Sequence, residues 1–110
     1  MNHVEDVTDQ NYQNLIQAPA AIVAYGIASC APCAAYDPIL EKTSVQHSHV
    51  RVGKAKMHVP GRCREIKKLH RFNTYPTTHL FSHGTLLLSR EGQLEEDELA
   101  RLVVQYFPNP

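Results

Sequence analysis

A chain of 110 residues, 43% hydrophobic and 20% charged, has the size and apolar content of one packed domain, residues 1–110, and no room for two. Eleven basic residues offset eleven acidic ones, and the zero net charge argues against electrostatic capture of nucleic acid or an anionic membrane. No apolar run approaches the roughly 20 residues that span a bilayer, and Met1 to Asp6 shows no basic stretch leading into an apolar one; the expectation is a cytoplasmic chain without a leader.

Val4 to Val7 reads as a short edge strand. Thr8 is placed to cap a short helix with Tyr12, Leu15 and Ile16 as its apolar stripe, and Pro19 marks a break. Ala20 to Tyr25 is a continuous apolar run, the pattern of a strand buried on both faces. Gly26 to Ser29 form a loop, and Cys30-Ala31-Pro32-Cys33 follows. A helical pattern runs from Ala31 to about Gln46, with Tyr36, Ile39, Leu40 and Thr43 spaced i, i+3, i+4 and i+7. Pro38 inside it lacks a backbone donor and predicts a kink. Val50 to Lys56 reads as a strand. Pro60-Gly61 opens a predicted third helix to about His70, with Cys63, Ile66, Leu69 and His70 near one face. Thr77 to Ser82 and Thr85 to Arg90 are strands joined by a tight turn at His83-Gly84. After Gly92, the stripe Leu99, Leu102, Val103 and Tyr106 marks a last helix, with Glu95, Glu96 and Asp97 at its positive end and Pro108 beyond it. The order β-α-β-α-β-α-β-β-α predicts an α/β fold, a central mixed sheet with helices on both faces.

Three cysteines make a poor disulfide framework, but Cys30 and Cys33 are two residues apart. On a helix such residues share a face with Cβ atoms roughly 5–6 Å apart, and a disulfide needs about 3.8 Å. A small adjustment of the first turn closes that gap, so the pair can cycle between dithiol and disulfide. Cys30 falls at the N-cap, where free amides and the helix dipole stabilise a thiolate. Cys33, one turn in, is more shielded. Cys30 is then the nucleophile toward a substrate disulfide, and Cys33 the thiol that resolves the mixed disulfide. Pro32 removes one competing donor and stiffens the turn. Other readings stand beside this one. The pair is also half of a zinc site, to be completed by Cys63 with His58 or His70, or a ligand set for an iron–sulfur cluster shared between chains, or a structural pair.

The chain resembles the thioredoxin family over nearly its whole length. The matching pieces are Val7-Thr8-Asp9 with Tyr12, the apolar strand before the motif, Cys30-Ala31-Pro32-Cys33, Pro38-Ile39-Leu40, Tyr75-Pro76-Thr77, Phe81-Ser82-His83-Gly84, and Gly92. The resemblance implies a thioredoxin-like fold and protein thiol–disulfide exchange without a cofactor. It implies protein disulfides as substrates, and a reductase or another dithiol as electron donor. It also implies a cis Tyr75–Pro76 peptide beside the active pair. Ser29, Ala31, Pro32, Tyr75, Pro76, Thr77 and Gly92 are the residues it places around the substrate.

Three departures qualify the likeness. Ser29 stands where the family has Trp, the loop tryptophan further upstream is Gly26, and the chain has no Trp at all. Ala24 stands where a buried Asp assists the second thiol. Lys54, which aligns with the partner of that Asp, is expected to point to solvent for want of a carboxylate. Thr78 and His79 are polar where the family is apolar. These changes give weight to a rival reading, a thioredoxin-like module that binds a partner protein with little turnover. Cys63 reads as a buried core thiol, and His79 as a satisfied core residue. His47, His49 and the other histidines read as surface. Tyr25 and Tyr36 fit either the substrate groove or the core. Arg62, Arg64, Lys67, Lys68 and Arg71 form a basic face, solvated or docking an acidic partner.

Overall fold

A computed structural model describes residues 3–109. Residues 1 and 2, part of the stretch inspected for a leader, lie outside it. The strands are β1 (Glu5–Val7), β2 (Ala21–Gly26), β3 (Arg51–Lys56), β4 (Thr77–Ser82) and β5 (Thr85–Glu91). The helices are α1 (Tyr12–Ile16), α2 (Ala31–Gln46), α3 (Arg64–Leu69) and α4 (Glu96–Tyr106). The sheet order is β1-β3-β2-β4-β5. β3 pairs parallel with β1 and β2, and β4 pairs antiparallel with β2 and β5.

Burial of β2 on both faces follows from its place at the centre of the sheet. Ala21, Val23 and Tyr25 face a core shared with Tyr12 and Leu15 of α1 and Ile66 of α3. Ile22 and Ala24 face a second core with Tyr36 and Leu40 of α2 and Leu99 and Val103 of α4. The alternation of strand side chains thus puts helices on both faces of one mixed sheet. In the β4–β5 turn, His83 and Gly84 take φ of 50° and 84°, the positive angles that match the strand twist.

Two helices start later than the sequence pattern suggests. α1 begins at Tyr12, with Asn11 at the N-cap. Thr8 instead opens the preceding turn, where its carbonyl accepts the amides of Asn11 and Tyr12 and its own amide donates to Asn11 Oδ1. α3 begins at Arg64, because Gly61 at φ 78° is outside the helical region. Its amides at Glu65 and Ile66 are capped from afar by Asp9. The short helix turns Leu69 outward, 53% exposed, so Leu69 leaves the apolar stripe proposed for it.

The two polar residues of β4 are satisfied on opposite faces. Thr78 Oγ1 shares a hydrogen bond with the Tyr36 hydroxyl at 2.9 Å. His79 Nδ1 shares one with the Tyr25 hydroxyl at 3.0 Å, which continues to Tyr12 and from there to His70 Nε2. Four side chains from β4, β2, α1 and the end of α3 are thereby joined through the core. Among the described residues, no buried side-chain nitrogen or oxygen lacks a partner. Burial, then the neighbouring His70, pushes the His79 imidazole down to about 4 from the usual 6.5.

Two outcomes follow for stability. The folded state binds fewer protons than the unfolded chain between about pH 6.5 and 4, so stability falls as pH drops through that window. Urea melts at pH 7.5 and pH 5 should differ by up to about 2 kcal/mol from His79 alone, and His79→Gln should lose most of that difference. Gly53 of β3 lies against Val7 and Leu15, and a Cβ there would overlap their methyl groups. Gly53→Ala should cost roughly 1–3 kcal/mol in the same melts.

Candidate active site

The end of β2 feeds a loop, residues 27–29, that delivers the chain to the N-terminus of α2. Ser29 closes this loop in the left-handed region at φ 58°, and Cys30 follows as the N-cap in extended conformation. Cys30 and Cys33 are joined by a disulfide, with Cα atoms 5.2 Å apart. The Cys33 amide donates to Cys30 Sγ at 3.2 Å, so the sulfur occupies the position of a capping side chain. Pro32 falls in the first turn, where a helix leaves its amides unpaired and a missing donor costs nothing.

The two sulfurs differ in access. Cys33 is 4% exposed, beneath α2, while Cys30 is half-buried among the exposed Ser29, Ala31 and Pro32. An open groove of about 630 Å³ runs alongside, lined in part by Ile27, Ser29, Cys30, Cys33 and Lys54.

A second segment approaches from the start of β4. The Tyr75–Pro76 peptide is cis, and the Tyr75 carbonyl oxygen lies 3.7 Å from Cys30 Sγ. Pro76 and Thr77 are buried, and Thr77 Oγ1 donates to the Thr74 carbonyl. Gly92 ties this segment to the end of β5 by donating its amide to the Pro76 carbonyl at 2.8 Å. It does so at φ 87°, a conformation in which a side chain would be strained. Tyr75 stacks on Phe72, which reaches back to Tyr25 and His79. The residues singled out in the sequence therefore form two clusters. Ser29 to Cys33 make one and Tyr75 to Thr77 with Gly92 the other, meeting where Cys30 faces Tyr75.

Lys54 does not point free into solvent. Its Nζ pairs with Asp37 Oδ1 at 2.6 Å, with the lysine side chain 24% and the aspartate 46% exposed. Asp37 was absent from the sequence-derived set, although its position four residues after Cys33 puts both on one face of α2. Ala24, 2% exposed, offers no polar group beneath the pair. Tyr25 and Tyr36 lie in the two cores and not along the groove, and burial pushes the Tyr36 hydroxyl up to about 12.

Cys63 is 1% exposed, with its sulfur near the carbonyls of Val7 and Lys56, and burial raises its thiol. His49 Nε2 bonds the Phe107 carbonyl and packs on His47. Of the basic cluster, Arg62 pairs with Asp6 and Lys68 with Glu65, while Arg64, Lys67 and Arg71 are exposed. Among the described residues, no three His, Cys, Asp or Glu side chains are placed to hold a metal. No helix there is long and apolar enough to cross a membrane.

Comparison with known proteins agrees with this geometry. The family model Thioredoxin matches residues 3–105. Thioredoxin from Chlamydia pneumoniae is 24% identical over 100 residues, covering 91% of this chain and 95% of that protein. Among solved structures, Chlamydomonas reinhardtii thioredoxin f2 superposes with a TM-score of 0.84 at 21% identity, over 97% of this chain and 99% of its own. Plasmodium falciparum thioredoxin gives 0.81 at 20% identity, over 94% and 99%. With a Cys-x-x-Cys pair closed into a disulfide at the head of α2 and a family match over almost its full length, the chain belongs to the thioredoxin family and is a thiol–disulfide oxidoreductase.

Proposed function

We propose that the protein reduces disulfides in other proteins, with Cys30 as nucleophile and Cys33 as resolving thiol. The unequal placement of the two sulfurs is the observation that carries this reading. Cys30 is the more open, and it sits where the first-turn amides of α2 converge, one of them already directed at its sulfur. Those amides and the positive end of the helix favour the thiolate when the bond is reduced.

In this scheme the Cys30 thiolate attacks one sulfur of the substrate disulfide and expels the other as a thiolate. Cys33 then attacks Cys30 Sγ, the mixed disulfide breaks, and the second substrate sulfur leaves. Two electrons pass from the dithiol to the substrate. The resulting Cys30–Cys33 disulfide is returned to the dithiol by a reductase or another dithiol, in a reducing compartment such as the cytoplasm. Ser29, Ala31 and Pro32 on one side and Tyr75, Pro76 and Thr77 on the other form the walls that receive an extended substrate segment. Gly92 holds the second wall in place through its bond to Pro76.

The rival reading, a module that binds a partner protein with little turnover, draws on Ser29. An exposed serine beside Cys30 supplies far less apolar contact than an aromatic side chain would.

Insulin reduction driven by dithiothreitol separates the two. Wild type should accelerate it, and Cys30→Ser should fall to background. Cys33→Ser should accumulate a covalent adduct with substrate, visible by mass spectrometry and released by excess dithiothreitol. A wild-type protein that does not accelerate reduction, and whose Cys30→Ser variant still captures the same partner, would favour the binding module.

A further inference from the structure

Resting on that reading, we infer that the Lys54 ammonium, anchored by Asp37, stabilises the Cys33 thiolate in the step that resolves the mixed disulfide. Cys33 has a task that its surroundings oppose. It must become a thiolate to attack Cys30, yet it is almost fully buried, and burial in an apolar setting disfavours the charged sulfur. Its neighbour on β2, Ala24, has nothing to offer it.

Lys54 is the cation placed to help. The register of β3 on β2 sets Lys54 directly beside Ala24, on the sheet face that α2 covers. Gly26, the last residue of β2, leaves a gap. The point its missing Cβ would occupy is 3.4 Å from Cys33 Sγ and 3.8 Å from Lys54 Cε. The lysine stem and the sulfur thus flank the same small space. A void of about 10 Å³ bordered by Ala24, Cys33, Asp37 and Lys54 lies beneath them, room for a single water at most.

The ion pair also has a direction. Lys54 is the more buried partner and Asp37 the more exposed, so the ammonium end lies deeper and the carboxylate end nearer to solvent. Asp37 acts as a positioning residue, keeping a flexible side chain over the groove. The other charged groups here are less suited. Lys56 and His58 are exposed, and Glu41 is exposed one turn beyond Asp37 on α2. On β1, Glu5 is held by Arg51 and Asp6 by Arg62.

In the reaction the Cys33 thiol gives its proton to water in the groove, and the ammonium offsets the charge that remains on sulfur. The Cys33–Cys30 bond forms, the Cys30–substrate bond breaks, and the substrate sulfur leaves with the electron pair and takes up a proton. The dithiol is oxidised as the substrate disulfide is reduced.

The test uses Lys54→Gln and Lys54→Arg. The pair is partly exposed and contributes little to stability, so both variants should fold. Two readouts apply: titration of the Cys33 Cβ carbon by NMR in the reduced protein, and the pH profile of mixed-disulfide resolution by rapid quench. An opposite charge at this range shifts a thiol by about one unit or more. Lys54→Gln should raise the Cys33 midpoint by about one unit. Resolution at pH 7 should slow only roughly threefold, because a more basic thiolate is also a better nucleophile. Lys54→Arg should keep the wild-type midpoint. The inference is overturned if Lys54→Gln leaves the midpoint in place, or if Lys54→Arg moves it as far as Lys54→Gln does. A wild-type protein with no turnover at all would instead overturn the functional reading.

Discussion

The amide of Cys33 donates to the sulfur of Cys30, and the rest of the site is arranged around that first turn of α2. The interaction needs a helix that begins at the right residue. β2 supplies the start by running through the middle of the sheet and ending at Gly26, and the 27–29 loop turns the chain through Ser29 into the cap. A buried face with Tyr36 and Leu40 then fixes the helix against the sheet. Cys33 is shielded because it points along that face, and Cys30 is open because it precedes it. The division of labour between two chemically identical side chains thus comes from one helical turn of displacement.

The opposite face of the sheet carries a different kind of order. There a line of hydrogen bonds joins His79, Tyr25, Tyr12 and His70, with Phe72 packed against it and Tyr75 stacked on Phe72. Neutral imidazole at His79 suits this network, since a buried charge there would face a second histidine. The network ties the end of α3 to the central strands, and the segment between them ends at the cis peptide beside Cys30. One face therefore holds the thiols, and the other steadies the chain that approaches them.

Much of this was legible in the sequence, and the reasons differ by element. The limits of α2, Ala31 to Gln46, could be read because a cap, an early proline and an apolar stripe agree. β2 could be read because a run of six apolar residues leaves a strand few other places to go. α1 and α3 were misplaced at their starts because both are held by distant groups. Asp9 caps α3 from the other end of the sequence, and Thr8 forms a turn before α1 instead of capping it. The fate of Lys54 was hidden for a related reason. Its expected partner on β2 is absent, and the carboxylate that replaces it comes from a helix 17 positions earlier in the chain. Only the spacing of Asp37 from Cys33 hinted at that, and spacing alone does not show which strand a helix covers. His79 was readable as a core residue, but its partner depended on strand register.

The central claim is that the head of α2 makes Cys30 the reactive thiol and leaves the other two cysteines protected. Alkylation of the reduced protein as a function of pH, with each cysteine followed separately by mass spectrometry, tests it directly. The account predicts that Cys30 reacts first, with a midpoint below the free-cysteine value of about 8.5, while Cys63 stays unmodified until the protein unfolds. A Cys30 that titrates at or above that value, or a Cys63 that reacts ahead of it, would contradict the account.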